Sequence, residues 1–449
     1  MPYDGQPASK GGHADLIRNP QVKAFLGRCE VKAGPDDAEG EKIADAYHDA
    51  PKTEILPELV VASDSSPFSE PVKKDFPSTQ VGYVNVSLMG FNMCDYNGLQ
   101  PQGSKFVDPH AVASFHRKAQ KASFVLPGSN VRYGGKAKVQ DGFRLAVFEQ
   151  LSDDQTRIAD EGPNIVETML HIEGGAIDVK KCPACGEQHI FCFNRKEMAI
   201  ACPSCKADVY VTDSLRIHEQ MSDFGDNTAA VTRFMNATEH LQICTLVHTM
   251  SMLDLDRLSN TAIIVDGPLA LFGQPAKFHA SIQAFYNSVF EKCAAAKKKP
   301  PLIMGLQKEG QVMEHARSLS RFVRPGSFQV ISDDYRARYI NGIEPDNTNF
   351  GNETYYGQDF IYKTDAGQIF DVCLAYPIGQ KAAGFGKQKA DLALYQDWLA
   401  RAFKLIRHLE FDLYESAVVP IALAHRHASI SLKPGGAMLN VLTKKHLGI

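Results

Sequence analysis

The sequence lacks long apolar runs, a leader-like N-terminus and an excess of either charge. No apolar run approaches the roughly 18–20 residues that a membrane span requires, so we expect a protein without membrane contact. The first residues carry no continuous apolar core of the kind found in signal peptides, which predicts a cytoplasmic protein. The 48 basic and 52 acidic residues give a formal charge of −4, which excludes a uniformly basic surface for nucleic acids but not a local basic groove.

The chain is long enough for several domains and a large buried core. Its 449 residues exceed the roughly 100–200 residues of a typical domain, and with 44% hydrophobic and 22% charged residues its composition is that of a globular protein. The patterning predicts an N-terminal extension at 1–55, a core in two parts at 56–100 and 221–449, and an insertion at 101–220.

Short apolar strands in the two core parts predict an α/β fold. A strand at 59–62 runs into turn-forming residues, and an alternating strand at 81–88 would pair with it as a hairpin. A strand at 262–265, a helical pattern at 278–290 and a strand at 300–305 have the lengths of a βαβ unit, which places two strands in parallel. Further strands are predicted at 328–331, 359–363 and 369–375, and helices at 15–29, 142–151, 228–253, 391–409 and 417–427.

Four of the ten cysteines form two Cys-x-x-Cys pairs that are separated by 16 residues, which matches the roughly 15–20 residue spacing of a Cys₄ zinc ribbon. They are Cys182, Cys185, Cys202 and Cys205. Four sulfur ligands complete a tetrahedron and leave no open position, so the zinc would be structural. We therefore predict a ribbon at 178–213, and we expect Cys192 between the pairs to be a core residue rather than a ligand.

Two aspartates follow apolar strands of the predicted core. Asp64 comes after the strand at 59–62 and Asp266 after the strand at 262–265. Either residue alone could be a turn former or a helix N-cap. Two carboxylates at the same sheet edge would instead offer hard oxygen ligands for Mg²⁺ or Mn²⁺, which can activate water against a phosphodiester.

Glu239 interrupts the apolar face of the helix predicted at 228–253. The apolar residues on its side of the helix are Met235, Ile243, Leu246 and Met250. Carboxylates are rarely buried without a partner. Glu239 therefore either meets a basic side chain, for which Arg233 lies on the wrong face, or faces a cation beside the strand ends. The residues leave both alternatives open.

His425 and Lys308 are further candidates for chemistry. His425 could be an ordinary helix histidine, or beside a metal site it could coordinate the ion, orient water or protonate a leaving oxygen. Lys308 follows the strand at 300–305 and emerges at the same edge as Asp266, where it could hold a phosphate or be solvated. Arg426 would contact phosphate or solvent.

Taken in order, five short motifs resemble those of the NurA nuclease family. They are Asp64-Ser65-Ser66, Glu239-His240-Leu241, Asp266-Gly267-Pro268-Leu269, Gly305-Leu306-Gln307-Lys308, and 420–425 with Ala428 and Ile430. The resemblance covers roughly 55–95 and 215–449. It extends to bacterial members that carry a zinc-ribbon insertion before a Leu-Arg-Ile-His-Glu segment, here 215–219.

The resemblance implies an RNase H-like mixed sheet flanked by helices, with the zinc ribbon inserted. It also implies Mn²⁺-dependent cleavage of DNA with exonuclease and endonuclease activity, a homodimer, and partnership with a HerA-type hexameric ATPase that translocates DNA. By position, Asp64, Glu239 and Asp266 would bind the catalytic Mn²⁺ or Mg²⁺. His425 would take the role of the family's late histidine.

Two positions depart from the family pattern. The family has an active-site tyrosine upstream of the histidine, and Tyr414 is the nearest candidate although its spacing is not matched. Ser65 stands where the family commonly has glycine, so we expect a different turn if that glycine is left-handed.

The leading interpretation is a metal-dependent DNA nuclease that acts in DNA end processing, repair or defence. One or two ions would lie between Asp64, Glu239 and Asp266, while His425 or Lys308 stabilises charge. The alternative is a non-catalytic DNA-binding or scaffold subunit that uses the ribbon to load an ATPase. A zinc hydrolase is disfavoured because the four cysteines leave zinc no open site.

Overall fold

The architecture is a single large mixed sheet with helices on both faces. The structure is a computed structural model, and it describes residues 10–30, 34–72, 79–99, 119–345, 350–410, 418–430 and 435–447. None of the helices in these ranges is both long and apolar enough to cross a membrane.

In the described ranges, nine strands form the central sheet and four short strands form two separate hairpins. In chain order the strands are β1 (His48–Asp49), β2 (Leu59–Pro71), β3 (Gln80–Asn92), β4 (Ala119–Pro127), β5 (Ile177–Lys181), β6 (Gln188–Phe193), β7 (Ala199–Ala201), β8 (Asp208–Tyr210), β9 (Thr261–Asp266), β10 (Leu302–Gln307), β11 (Ser327–Val330), β12 (Gly357–Lys363) and β13 (Ile369–Ala375).

The helices of the described ranges are mostly short. In chain order they are α1 (Lys10–Arg18), α2 (Pro20–Leu26), α3 (Asp37–Asp45), α4 (Met93–Asn97), α5 (Val139–Leu151), α6 (Ile165–Ile172), α7 (Thr228–Leu253), α8 (Leu255–Ser259), α9 (Phe278–Ala295), α10 (Gln311–Leu319), α11 (Asp333–Tyr335), α12 (Phe385–Gln388), α13 (Gln396–Leu409), α14 (Val419–Ala428) and α15 (Gly435–Leu447).

The order of strands in the central sheet is β1-β11-β12-β13-β10-β9-β2-β3-β4. The first three core strands, β2, β3 and β4, are antiparallel neighbours, and β9 and β10 then add in parallel beside β2. Three antiparallel strands followed by two parallel ones are the arrangement of an RNase H-like sheet, so the predicted fold class is confirmed. The strands β13, β12 and β11 extend this core with antiparallel pairs.

Helices α7 and α14 cover opposite faces of β2. On the α7 side, Gly82 of β3 leaves room for the side chain of Val231, and Phe234 packs edge-on against Phe124 of β4 with ring centroids 5.4 Å apart. Burying a large apolar side chain contributes about 1.5–3 kcal/mol, so such contacts fix α7 against the sheet. Helix α14 contacts β2, β3, β4 and β9, and its His425 reaches β2 from the other side.

Many predicted elements are confirmed. The helix at 228–253 has the predicted bounds, the strands at 59–62 and 81–88 are an antiparallel hairpin, and the βαβ unit places β9 and β10 in parallel. One prediction about β2 is wrong. The strand does not stop at the turn-forming residues after 62 but continues to Pro71, because β3 pairs with it over its whole length.

The predicted division of the chain is less clear in the structure. Strand β4 lies inside the range predicted as an insertion, yet it is an edge strand of the central sheet. Strand β1 lies in the predicted extension, yet it pairs with β11. The predicted helix at 15–29 is two helices, α1 and α2, which meet at Asn19 and Pro20. The domain boundaries themselves stay a prediction.

A buried ion pair connects α5 to the segment that follows the cysteine pairs. The guanidinium of Arg144 donates two hydrogen bonds to the carboxylate of Asp213, at 2.8 and 2.6 Å, and both side chains are almost fully buried. Arg144 also donates to the backbone carbonyl of Asp208. Two parallel bonds between a guanidinium and a carboxylate define an orientation as well as a distance.

We expect Asp213→Ala to lower the free energy of unfolding by about 3 kcal/mol, because it removes the buried partner of Arg144 and leaves only the more exposed Asp141 to pair with this charge. The matched control is Asp37→Ala, which removes the exposed ion pair with Arg321 and should cost less than about 1 kcal/mol. Denaturant unfolding of both variants measures the difference. Equal losses would show that the buried Arg144 pair stabilises the fold no more than the exposed pair of Asp37.

Candidate functional site

The parallel register of β2 and β9 brings two aspartates together. The last residues paired between these strands are Ser63 and Val265. Asp64 and Asp266 are the next residue on each strand, so their side chains lie side by side on the same face of the sheet. Asp64 is therefore not at the end of its strand, as predicted, but at the point where β2 extends beyond β9.

Asp64, Asp266 and His425 form one cluster. A ligand atom from each of the three side chains lies within 4.8 Å of the others, and Nδ1 of His425 is 2.8 Å from Oδ2 of Asp64. Lys308 completes the arrangement, because its Nζ donates a hydrogen bond of 2.7 Å to Oδ2 of Asp266. The structure thus brings together four of the residues that the sequence indicated.

The pKa of Asp64 reflects its burial and the charges of its neighbours. Burial and the neighbouring charge of Asp266 raise the pKa of Asp64, while the contact with His425 lowers it in part. Two carboxylates this close repel each other in their ionised forms. A cation between them would relieve that repulsion, and the two carboxylates with one imidazole are a donor set that suits Mg²⁺ or Mn²⁺. The residues present therefore fit a divalent metal ion.

Glu239 does not belong to this cluster. Its Oε1 accepts a hydrogen bond of 2.8 Å from Ser63, and its Oε2 accepts one of 2.5 Å from Ser65. Successive residues of a strand point to opposite faces, so Ser63 and Ser65 face α7 whereas Asp64 between them faces α14. Glu239 thus lies on the α7 side of β2 and is not part of the group formed by Asp64, Asp266 and His425, and its role as a metal ligand stays a prediction.

The hydrogen-bond partners of Glu239 differ from both partners that the sequence suggested. The alternatives were a basic side chain or a cation, and the structure gives two serine hydroxyls from β2. Burial raises the pKa of Glu239 to about 8, while the hydroxyls act in the opposite direction. The available signal was the Ser-Asp-Ser alternation in a strand that continues beyond residue 62.

The backbone conformation of Ser65, which stands where the family commonly has glycine, is extended. This residue pairs with Val86 in the extended hairpin, and it is not among the described residues with a positive φ. No left-handed conformation occurs at this position in this chain, and the expected difference from the family turn stays a prediction. The candidate tyrosine, Tyr414, lies outside the described residues.

An open groove of about 540 Å³ lies over the cluster. Its lining residues are Asp266, Gly267, Pro268, Gln307, Lys308, Glu309 and His425. The side chain of His425 is 59% exposed, so a ligand in the groove can reach His425 and Asp266. Arg426, the next residue of α14, is also exposed.

The turn after Asp266 lies directly against β10. Gly267 has a φ of 125°, a conformation that L side chains rarely adopt, and its backbone N–H donates to the carbonyl of Leu306. A Cβ on Gly305 would overlap the carbonyl oxygen of Gly267. The absence of a side chain at Gly305 therefore allows the turn that positions Asp266.

The four predicted zinc ligands also lie close together. Their sulfur atoms are within 4.8 Å of one another, and the separations across the two pairs are 3.8 Å (Cys182 to Cys205) and 3.9 Å (Cys185 to Cys202). Sulfurs about 2.3 Å from a tetrahedral zinc are about 3.8 Å apart. The two Cys-x-x-Cys turns join β5 to β6 and β7 to β8. The group could therefore hold a metal ion.

Cys192 does not have the predicted environment. It is exposed, and the prediction of a core residue is wrong because Cys192 lies on the outer side of the β5–β6 hairpin, opposite Asp178. It is not part of the cysteine group.

No family model and no curated protein matches the chain. Among solved structures it is similar to the crystal structure of the NurA nuclease from Sulfolobus solfataricus, with 10% identity, 99% of each chain covered and a TM-score of 0.35. It is also similar to a second NurA crystal structure, with 8% identity, 98% of each chain covered and a TM-score of 0.28.

Both of these structures are of NurA proteins, the family that the sequence motifs resemble. The TM-scores are below 0.5, so the function of this chain is inferred from the geometry of its own site.

We expect Gly305→Ala to lower the free energy of unfolding by about 1–3 kcal/mol, because the new methyl group overlaps Gly267 and forces the backbone to move. Gly90→Ala is the matched control, since a Cβ on that strand residue meets its neighbour Val61 at an ordinary 3.7 Å. Thermal unfolding of the two variants checks the prediction. A control as unstable as Gly305→Ala would contradict it.

Proposed function

We propose that the chain is a metal-dependent deoxyribonuclease that hydrolyses phosphodiester bonds, with exonuclease and endonuclease activity. The observation that carries the proposal is the cluster of Asp64, Asp266 and His425 beside Lys308, open to a groove. Two adjacent carboxylates next to a histidine and a lysine combine a site for a divalent cation with groups that bind a phosphate and move a proton.

Asp64 and Asp266 would hold Mn²⁺ or Mg²⁺ between them. When bound, such an ion polarises a phosphoryl oxygen and lowers the pKa of water. The ammonium of Lys308 neutralises part of the charge of Asp266, and it can contact a phosphate oxygen in the groove.

His425 is assigned the proton-transfer role. Its Nδ1 is engaged by Asp64, so Nε2 is the nitrogen that is available to the groove. The carboxylate fixes the orientation of the imidazole, as in other sites where an acid orients a histidine. With the Nδ1 proton donated to Asp64, Nε2 can take up a proton from the attacking water, and the protonated ring can then pass a proton from Nε2 to the leaving oxygen.

Glu239 is assigned a supporting role in place of the predicted ligation. Its hydrogen bonds to Ser63 and Ser65 hold the two residues that flank Asp64, so they fix β2 where it extends beyond β9. The participation of Tyr414 stays a prediction from the resemblance.

The biological setting follows from the resemblance alone. It comprises DNA as substrate, DNA end processing, repair or defence as the process, a homodimer, a HerA-type hexameric ATPase as partner, and the cytoplasm as location. The groove is compatible with a strand of nucleic acid, since it is open and lined by both charged and polar groups.

We expect Asp266→Asn to reduce metal-dependent cleavage by about 100-fold or more, because it removes one of the two carboxylates that hold the ion. The measurement uses end-labelled single- and double-stranded DNA with Mn²⁺, Mg²⁺ or EDTA, and Asp64→Ala is tested in parallel. The matched control is Asp256→Asn, which changes an exposed aspartate paired with Lys298 on the surface. Full activity of Asp266→Asn would sink the assignment.

The cysteine group favours a second candidate function, a non-catalytic DNA-binding or scaffold subunit. A ribbon of this kind can contact nucleic acid or protein without chemistry. This candidate requires DNA binding that survives the loss of both aspartates and no cleavage by the intact protein with any divalent metal. The cleavage assay with Asp64→Ala therefore separates the two functions.

We also propose that the cysteine group binds structural zinc. We expect about one zinc per chain in the purified protein and loss of that zinc, with a lower melting temperature, in Cys202→Ser. Cys192→Ser is the matched control and should keep the zinc, because this residue is outside the group. Metal analysis that finds no zinc in the unaltered protein would contradict the proposal.

A further inference from the structure

A buried acidic network fixes the side chain of Gln307 at the edge of the groove. The Nε2 of Gln307 donates a hydrogen bond of 2.7 Å to Oδ2 of Asp371 and a longer one of 3.4 Å to Oδ1 of Asp359. Both aspartates are almost completely buried, on the neighbouring strands β13 and β12. This network is separate from the Asp64 cluster and has no role in the chemistry described above.

The network determines which end of the Gln307 amide faces outward. Asp359 is ion-paired with Arg336 at 2.5 Å, so its carboxylate only accepts hydrogen bonds. The structure directs the NH₂ group of the amide inward, where it contacts this carboxylate as well as that of Asp371. Its Oε1 accepts no hydrogen bond from any residue in the described ranges and is not among their buried unpartnered atoms. Because Gln307 lines the groove, this oxygen is presented there as an acceptor.

An acceptor at this position selects its ligand by chemistry. Phosphate oxygens carry no hydrogen at neutral pH and would be repelled by a carbonyl oxygen, whereas Lys308, the next residue, offers an ammonium to the same groove. In a nucleic acid backbone the hydrogen-bond donors are the sugar hydroxyls, and a sugar lies next to every phosphate. The pair of Gln307 and Lys308 thus matches a sugar hydroxyl beside a phosphate.

We propose that Gln307 is a specificity-determining residue that accepts a hydrogen bond from a sugar hydroxyl of the bound strand. The inference deepens the proposed nuclease function and rests on it. The hydroxyl has two sources, the terminal 3′-OH of a DNA strand and the 2′-OH of a ribonucleotide. The first would favour cleavage at strand ends, and the second would favour RNA.

The test compares three oligonucleotides of one sequence, which end in a 3′-hydroxyl, in a 3′-deoxy group, or in a 3′-deoxy group with ribonucleotides in the terminal positions. We measure kcat/KM in Mn²⁺ and binding affinity in EDTA. We expect the intact protein to prefer one hydroxyl-bearing strand to the 3′-deoxy DNA by about 2- to 10-fold, the size of one hydrogen bond. The preferred strand identifies the source of the hydroxyl.

Two substitutions of Gln307 separate recognition from stability. Gln307→Met keeps the length of the side chain without the acceptor and should bring the preference to about 1. Gln307→Glu should keep the preference, because beside two aspartates the new carboxyl group takes up a proton on its inner oxygen and leaves the outer oxygen as acceptor. Circular dichroism and thermal unfolding establish that both variants are folded.

Several outcomes would overturn the inference. They are equal rates and affinities of the intact protein on all three strands, the same preference in Gln307→Met, or a loss in Gln307→Met that is uniform across the strands. A uniform loss would indicate that Gln307 affects a step common to all three strands, such as positioning of the attacking water, or that the variant is misfolded. Absence of cleavage by the intact protein would contradict the proposed nuclease instead, and the affinities in EDTA would still decide whether Gln307 recognises a hydroxyl.

Discussion

The parallel pairing of β2 with β9 is the constraint on which the site depends. It aligns Ser63 with Val265 and so places Asp64 and Asp266 side by side. Two carboxylates in one partly buried position repel each other, and the structure opposes this with His425 on one and Lys308 on the other. A single cation between the aspartates would do the same, which is why this arrangement suits a metal-dependent reaction.

The extension of β2 beyond β9 has a further consequence. Because the strand stays extended through residues 63 to 65, its side chains alternate between the two faces of the sheet. Ser63 and Ser65 hold Glu239 on α7, and Asp64 meets α14. One strand therefore connects a buried carboxylate on one face to an accessible site on the other. The hairpin with β3 makes this possible, since it keeps β2 paired where β9 has ended.

Much of this could be predicted from the local pattern. The apolar runs of β9 and β10 and the helix α9 between them indicated a parallel pair, because strands that are buried on both faces consist almost wholly of apolar residues. The aspartates after two such strands indicated the site. The end of β2 was predicted wrongly, since Ser-Asp-Ser-Ser-Pro is a turn pattern whose effect is overridden by pairing with β3. The partners of Glu239 were missed for the same reason.

The sequence by itself determined the inventory of chemical groups and the spacing of local motifs. The 16-residue interval between the cysteine pairs and the positions of Asp64, Asp266, Lys308 and His425 are properties of the chain. Only the tertiary structure decided which groups meet, because hydrogen bonds and ion pairs depend on register and on the face of each element. Thus Glu239 lies with two serines, and Gln307 with Asp359 and Asp371. Residues that lie 50 to 180 positions apart in the chain carry no local signal of such contacts.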